Sequence, residues 1–194
     1  MTDADVLQLT DPRAVRALAH PLRLRILRLL QQDGPATATS LAAACGESSG
    51  ATSFHLRQLA KYGFIDELPE RGRGRERWWR ARARGFSFPA MVAEAHDAAG
   101  AELETAAALL RSRILDQNAE TLSTYLDHEP ALEPAWRNAA LFGSSGLYVT
   151  VEELEQLSSQ LLALLRAYER ADPATRPPGA RRTRFIVYGL PEPS

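Results

Sequence analysis

Apolar positions along residues 10–66 recur three and four apart in short runs, and each run is bounded by a capping or a breaking residue. Thr10-Asp11-Pro12 reads as a helix start, a capping side chain ahead of a proline, for a helix ending near Ala19. Pro21 opens a second helix, Leu22 to about Gln32, stopped by Asp33-Gly34-Pro35. Leu22, Ile26, Leu29 and Leu30 share one face of it, and Arg25 and Arg28 share another. After the extended Ala36–Ala38, Thr39 or Ser40 caps a small helix over Leu41–Cys45, which Gly46 ends. Ser48 and Ser49 are candidate caps for a helix running to Tyr62, with Gly63 left-handed behind it. Helix, tight glycine turn and helix is the core of a helix-turn-helix.

The period then changes. Phe64–Leu68 alternates like a strand, residues 70–74 form a glycine-rich tip, and Arg75–Ala83 alternates as the returning strand. A long helical stretch follows from about Pro89 to Asp127, with Gly100 as a weak point. Its apolar positions Leu103, Ala107, Leu110 and Ile114 step by 4, 3 and 4 and then drift to Leu115, Ala119, Leu122 and Leu126. Such a stripe is the seam of a helix that pairs with another helix. Pro130 and Pro134 break it. The apolar clusters around Gly143–Gly146 suggest a strand pair, and Thr150 with Glu153 forms a capping box for a helix to about Tyr168. Asp172–Ala180 is a loop, and Arg184–Tyr188 closes the chain's pattern as a strand.

Charge sharpens this picture. The formal net charge is −1, but residues 1–90 carry 14 Lys+Arg against 9 Asp+Glu, and residues 91–194 carry 9 against 15. Seven arginines fall between Arg71 and Arg84, opposed within that run by Glu76. A basic first half on an acidic second half points to a polyanion-binding module joined to a segment with another task. No apolar run approaches the roughly 18 residues that a membrane-spanning helix needs. The start, MTDADVLQLTDP, lacks the basic and apolar regions of a signal peptide, and the single cysteine, Cys45, forms no internal disulfide. A cytoplasmic protein without membrane partners is expected.

Three segments resemble one family in the right order and spacing. ALAHPLRLRILRLL (17–30) resembles the second helix of ArsR-type (ArsR/SmtB-like) winged-helix regulators. SSGATSFHLRQLAKYGFID (48–66), with Ser53-Phe54-His55-Leu56, is similar to their recognition helix, and GRGRERWWR (72–80) to their wing. The resemblance covers about residues 10–85. It implies a homodimer on a two-fold double-stranded DNA operator, acting as a repressor released by an effector. Helix geometry assigns the faces separately: Thr52, Leu56 and Leu59 turn to the core with His55 beside them. Ser49, Gly50, Ser53, Phe54 and Arg57 then face outward, toward a major groove. Ser49 and Ser53 can hydrogen-bond base edges or phosphates, and Arg57 can pair with guanine or a phosphate. Phe54 packs on a thymine methyl or tucks against the wing, and His55 is a half-buried packing or phosphate-contacting group. Arg71, Arg73 and Arg75 at the wing tip would position the protein on the sugar–phosphate backbone or enter the minor groove. Of Trp78 and Trp79, one belongs to the core.

The chain also departs from that family. Its metal-sensing members use Cys-x-Cys before the recognition helix, whereas here Cys45 stands alone among alanines and reads as a small buried side chain. Glu94, His96 and Asp97 do not share a face as a second metal site would require. No nucleophile–base set is legible, so neither catalysis, metal nor cofactor is expected. The expected fold is mainly α with small β. It comprises a winged helix-turn-helix domain over 1–87, a long dimerisation helix over 88–128 using Leu103, Ala107, Leu110 and Ile114, and a small α/β appendage over 129–194. Trp136, Phe142, Tyr148, Leu161 and Phe185 form that appendage's core or line an apolar pocket for a small-molecule effector. Two readings compete with the regulator: a metal-responsive repressor, and a winged helix used as a protein-interaction module without specific DNA binding.

Overall fold

In the computed structural model, which describes residues 6–72, 76–87, 98–170 and 172–192, each of the first four helices starts on a side chain that satisfies an otherwise orphaned amide. Asp11 accepts from Arg13 N (2.9 Å) to start α1 (Pro12–Leu18), and His20 Nδ1 accepts from Leu22 N (3.2 Å) to start α2 (Pro21–Asp33). Thr37 and Ser40 form a capping box for α3 (Ala38–Cys45), and Ser48 accepts from Ala51 N (3.2 Å) to start α4 (Ser49–Lys61). The third helix thus begins three residues ahead of the expected Leu41, because Thr37, rather than Thr39 or Ser40, supplies the cap. Gly46 and Gly63 are both left-handed, at φ +68° and +74°, and close α3 and α4.

Two small sheets frame these helices. β2 (Ala36–Thr37), β3 (Ile65–Glu67) and β4 (Trp78–Ala81) form an antiparallel sheet in the order β2-β4-β3, with Asp66 opposite Arg80 and Glu67 opposite Trp79. The expected wing hairpin is therefore present. Trp79 is the buried tryptophan and Trp78 the half-exposed one. The second sheet was not anticipated: β1 (Val6–Gln8) pairs in parallel with β5 (Gly85–Ser87) and ties the start of the chain to the end of the wing.

The long helix α5 spans Ala98–His128. Contacts divide the chain into one unit of Met1–Gln117 with Arg170–Arg176 and another of Asn118–Glu169 with Pro177–Ser194, so α5 is shared rather than standing as a separate segment. Within the first unit, Leu103, Ala106 and Leu110 lie in the same buried cluster as Val15, Leu18, Ile26, Leu56 and Ile65, and Ile114 packs against it. Ala107 is buried as well. Polar contacts fix the same face: Arg16 pairs with Glu102, Arg28 donates to Gln117 (2.8 Å), and Gln117 donates to the Pro21 carbonyl (2.8 Å). Leu103, Ala107 and Leu110, expected to form a seam between copies, are thus buried within their own chain, and Ile114 lies partly buried at the edge of that cluster. The first part of the stripe packs against helices of its own chain.

The second unit holds the rest of α5, a short helix α6 (Pro134–Ala139) and α7 (Val151–Arg166), which starts on the expected Thr150–Glu153 capping box. The expected strands at 141–149 and 184–188 are not formed: among the described residues of 129–192 the backbone there has no regular secondary structure and no ladder partner. The small α/β appendage is in this respect corrected to helices joined by segments without regular structure. Nor do its aromatics make a core or a pocket, since Phe142 is 79% and Phe185 59% exposed and Tyr148 is fully exposed. Among the described residues no helix is long and apolar enough to cross a membrane.

Candidate nucleic-acid interface

The helix α4 has two distinct faces. Thr52, Leu56 and Leu59 are fully buried, at steps of 4 and 3, and anchor it against α2 and α3. On the other side Ser49, Gly50, Phe54 and Arg57 are exposed, Phe54 to 49%, and Ser53 is half-exposed. The faces thus fall where the helical period puts them. Arg57 has no ion-pair partner among the described residues and stands exposed. Gly50 is helical, and a Cβ placed on it would meet nothing within 4 Å, so neither packing nor backbone conformation calls for glycine there. Arg25 holds the turn before α4, donating to the carbonyls of Ala44 (3.1 Å) and Cys45 (3.5 Å) at the end of α3. Cys45 itself is buried, and burial pushes its thiol above the usual range.

His55 lies half-buried between the two faces. Its ring is 5.3 Å from Phe54 in an edge-on arrangement and 4.5 Å from His20, the residue that caps α2. Both imidazoles are held below the ordinary histidine value, first by burial and then by the nearby Arg23 charge, with Glu47 opposing. Both rings are thereby favoured in the neutral form. That suits His20, whose Nδ1 must keep its lone pair to accept from Leu22 N. Periodicity alone hid this pair, because the two residues are 35 positions apart in the chain.

The wing distributes its charge unevenly. Asp66 on β3 accepts from Arg82 (2.7 Å and 3.2 Å) and lies 3.9 Å from Arg80, while Glu67 pairs with Arg77 (3.5 Å). The hydrogen bond from Arg82 keeps the Asp66 carboxyl below the usual carboxylate range. Among the described residues, Arg77, Arg80 and Arg82 of the wing are therefore answered by acids on the facing strand, a pairing that counting charges within 71–84 could not see. Arg71 is exposed, with its guanidinium 6.0 Å from the Trp78 ring centre. Gly72 shapes the start of the tip, since a Cβ there would collide with the Glu76 carbonyl. The expected contacts Arg73 and Arg75 lie outside the described residues, as do Glu94, His96 and Asp97. Among the described residues no group of three or more His, Cys, Asp or Glu is placed to hold a metal ion.

With this geometry in place, the class of module is clear: residues 18–67 match the family model of a helix-turn-helix domain, a stretch that runs from the end of α1 through β3. The chain thus carries a helix-turn-helix domain, which supports a DNA-binding regulator. Two solved structures are similar to it. One is a fragment (1–100) described as a "possible transcriptional regulatory protein" from Mycobacterium bovis, 31% identical over 37% of this chain and 72% of that one, with a TM-score of 0.33. The other is RV1404 from Mycobacterium tuberculosis, 16% identical over 81% of this chain and 84% of that one, with a TM-score of 0.31. No curated protein matches the chain.

Proposed function

We propose that this chain is a sequence-specific, cytoplasmic DNA-binding repressor of the ArsR type, working as a homodimer on a two-fold operator and released by an effector. The observation that carries the reading is the outward face of α4. Ser49, Ser53 and Arg57 offer hydrogen-bonding groups of the kinds that read base edges. Gly50 among them, in the first turn of α4, lowers helix propensity relative to alanine without any internal need for it. A backbone or base edge approaching closely from outside gives that glycine a purpose. The wing arginines Arg71, Arg73 and Arg75 of the sequence would then serve the sugar–phosphate backbone, a contact that orients the domain without carrying sequence information.

The experiment is a selection of bound fragments from random DNA, followed by affinity measurements across a salt series. Specific binding should fall linearly in log–log form, with a slope of about −0.9 for each phosphate neutralised. Arg57→Ala should weaken the selected site by about 1–3 kcal/mol and leave non-specific DNA almost unaffected. Equal weakening on every sequence would make Arg57 a phosphate contact. If selection yields no preferred sequence and affinity ignores salt, the regulator reading falls in favour of a protein-interaction module.

A further inference from the structure

Of the outward residues of α4, Ser49, Gly50, Ser53 and Arg57 are small or polar, and Phe54 is the apolar exception, with 49% of its surface exposed. A single exposed aromatic is ordinary on a protein surface, but the surroundings of this one are not. It shares a helix face with Gly50, four residues before it, and with the exposed Arg57, three residues after it. Gly50 carries no side chain, and a Cβ there would meet nothing within 4 Å, so the approach to the ring from that side is open. Arg57 puts a cation beside the same approach, which suits a polyanion as the visitor.

The ring is also propped from behind. It meets His55 edge-on at 5.3 Å, and His55 in turn lies 4.5 Å from His20. His20 is itself held to the first turn of α2, where its Nδ1 accepts from Leu22 N. Three rings thus run in series from the start of α2 to the outward face of α4. A ring supported this way has less freedom to lose when a ligand covers it. The sequence left Phe54 two roles, packing on a thymine methyl or tucking against the wing. Its ring partner proves to be His55 on its own helix, and half of its surface stays open.

We propose that Phe54 recognises the C5 methyl group of a pyrimidine in the major groove, and that His55 is the residue that positions its ring. That methyl is the apolar feature which base edges present there, and thymine carries it. The same group on the same ring carbon occurs in 5-methylcytosine. Ser49, Ser53 and Arg57 answer hydrogen-bonding groups, and Phe54 answers the one group that forms no hydrogen bond. The inference rests on the proposed regulator and deepens it by naming the chemistry read at one base pair.

The test takes the full chain and the DNA fragment recovered by selection from random sequence. Copies of that fragment carry deoxyuridine in place of one thymine at a time, which removes a methyl and leaves every hydrogen-bonding group in place. At one thymine or more, the replacement should weaken wild-type binding about fourfold, the effect of uncovering one methyl-sized group. Phe54→Ala should bind the thymine and deoxyuridine copies alike, and Phe54→Leu, which keeps an apolar side chain, should retain part of the difference. Cytosine placed at that position separates the two sources: affinity regained on 5-methylation extends the site to methylated cytosine, and none regained confines it to thymine. His55→Ala should bring the thymine-to-deoxyuridine ratio toward one while the salt slope, which counts phosphate contacts, stays as in the wild type. A merely structural His55 would weaken both copies equally and leave the ratio unchanged. A selected fragment whose thymines can all be replaced without loss would overturn the inference and leave the regulator standing. So would a Phe54→Ala chain that still tells the two copies apart. If selection recovers no preferred fragment, the regulator falls and this inference falls with it, leaving Phe54 to a protein partner.

Discussion

At the scale of single residues, the helix that faces outward carries two features that can be tested separately. Gly50→Ala fills open space, so the fold should gain about 0.5–1 kcal/mol from helix propensity, seen as a higher denaturation midpoint. The same change should weaken operator binding, because the methyl group stands where DNA is proposed to approach. Gains in both stability and affinity would refute the role given to Gly50. The second feature is the His20–His55 pair. Their folded-state values are lowered, so the unfolded chain binds protons more readily. The associated stability is complete above about pH 6.5, the ordinary histidine value, and is lost as pH falls through the depressed folded values. Thermal unfolding between about pH 7.5 and 5.5 should show this decline. His20→Asn, which retains a capping side chain, should reduce it. An unchanged slope would mean that the pair does not titrate in this range.

At the scale of elements, what was legible in the sequence depended on how local its cause is. Caps and stop signals lie within four residues of the ends they govern, so α1, α2, α4 and α7 were readable from Asp11-Pro12, Gly34-Pro35, Ser48 and the Thr150–Glu153 box. The outward face of α4 followed for the same reason, since Thr52, Leu56 and Leu59 mark the opposite one. Pairing across distance was not readable. Nothing near Val6–Gln8 says that it will lie beside Gly85–Ser87, and only the register of β3 with β4 brings Asp66 to Arg80 and Arg82. The apolar stripe of α5 was visible, but its partner was not, because a stripe records that a helix is covered and not by what. Leu110, which is completely buried within its own chain, tests where the stripe belongs. Leu110→Ala should destabilise the first unit by about 2–5 kcal/mol in denaturant unfolding and leave the oligomeric mass unchanged. Loss of dimer with stability intact would instead place the residue in a seam between copies.

At the scale of the whole chain, charge and burial separate its two parts. The first unit has a contiguous apolar core and, on α4, an exposed face that is largely polar, and it contains the helix-turn-helix match. The second has exposed apolar side chains and, among its described residues, no buried ones. The enclosure of Leu103, Ala106 and Leu110 beside Leu18 and Ile26 has one more consequence, for where the reading head can be cut free. A fragment stopped after the wing, at residue 87, would leave that cluster open to water on one side and should melt without a cooperative transition. One extended to residue 117 keeps the cover in place and should unfold in a single sharp step. The smallest autonomous piece of this molecule is therefore longer than its helix-turn-helix, because the lid of that piece is the opening half of the helix that leads out of it.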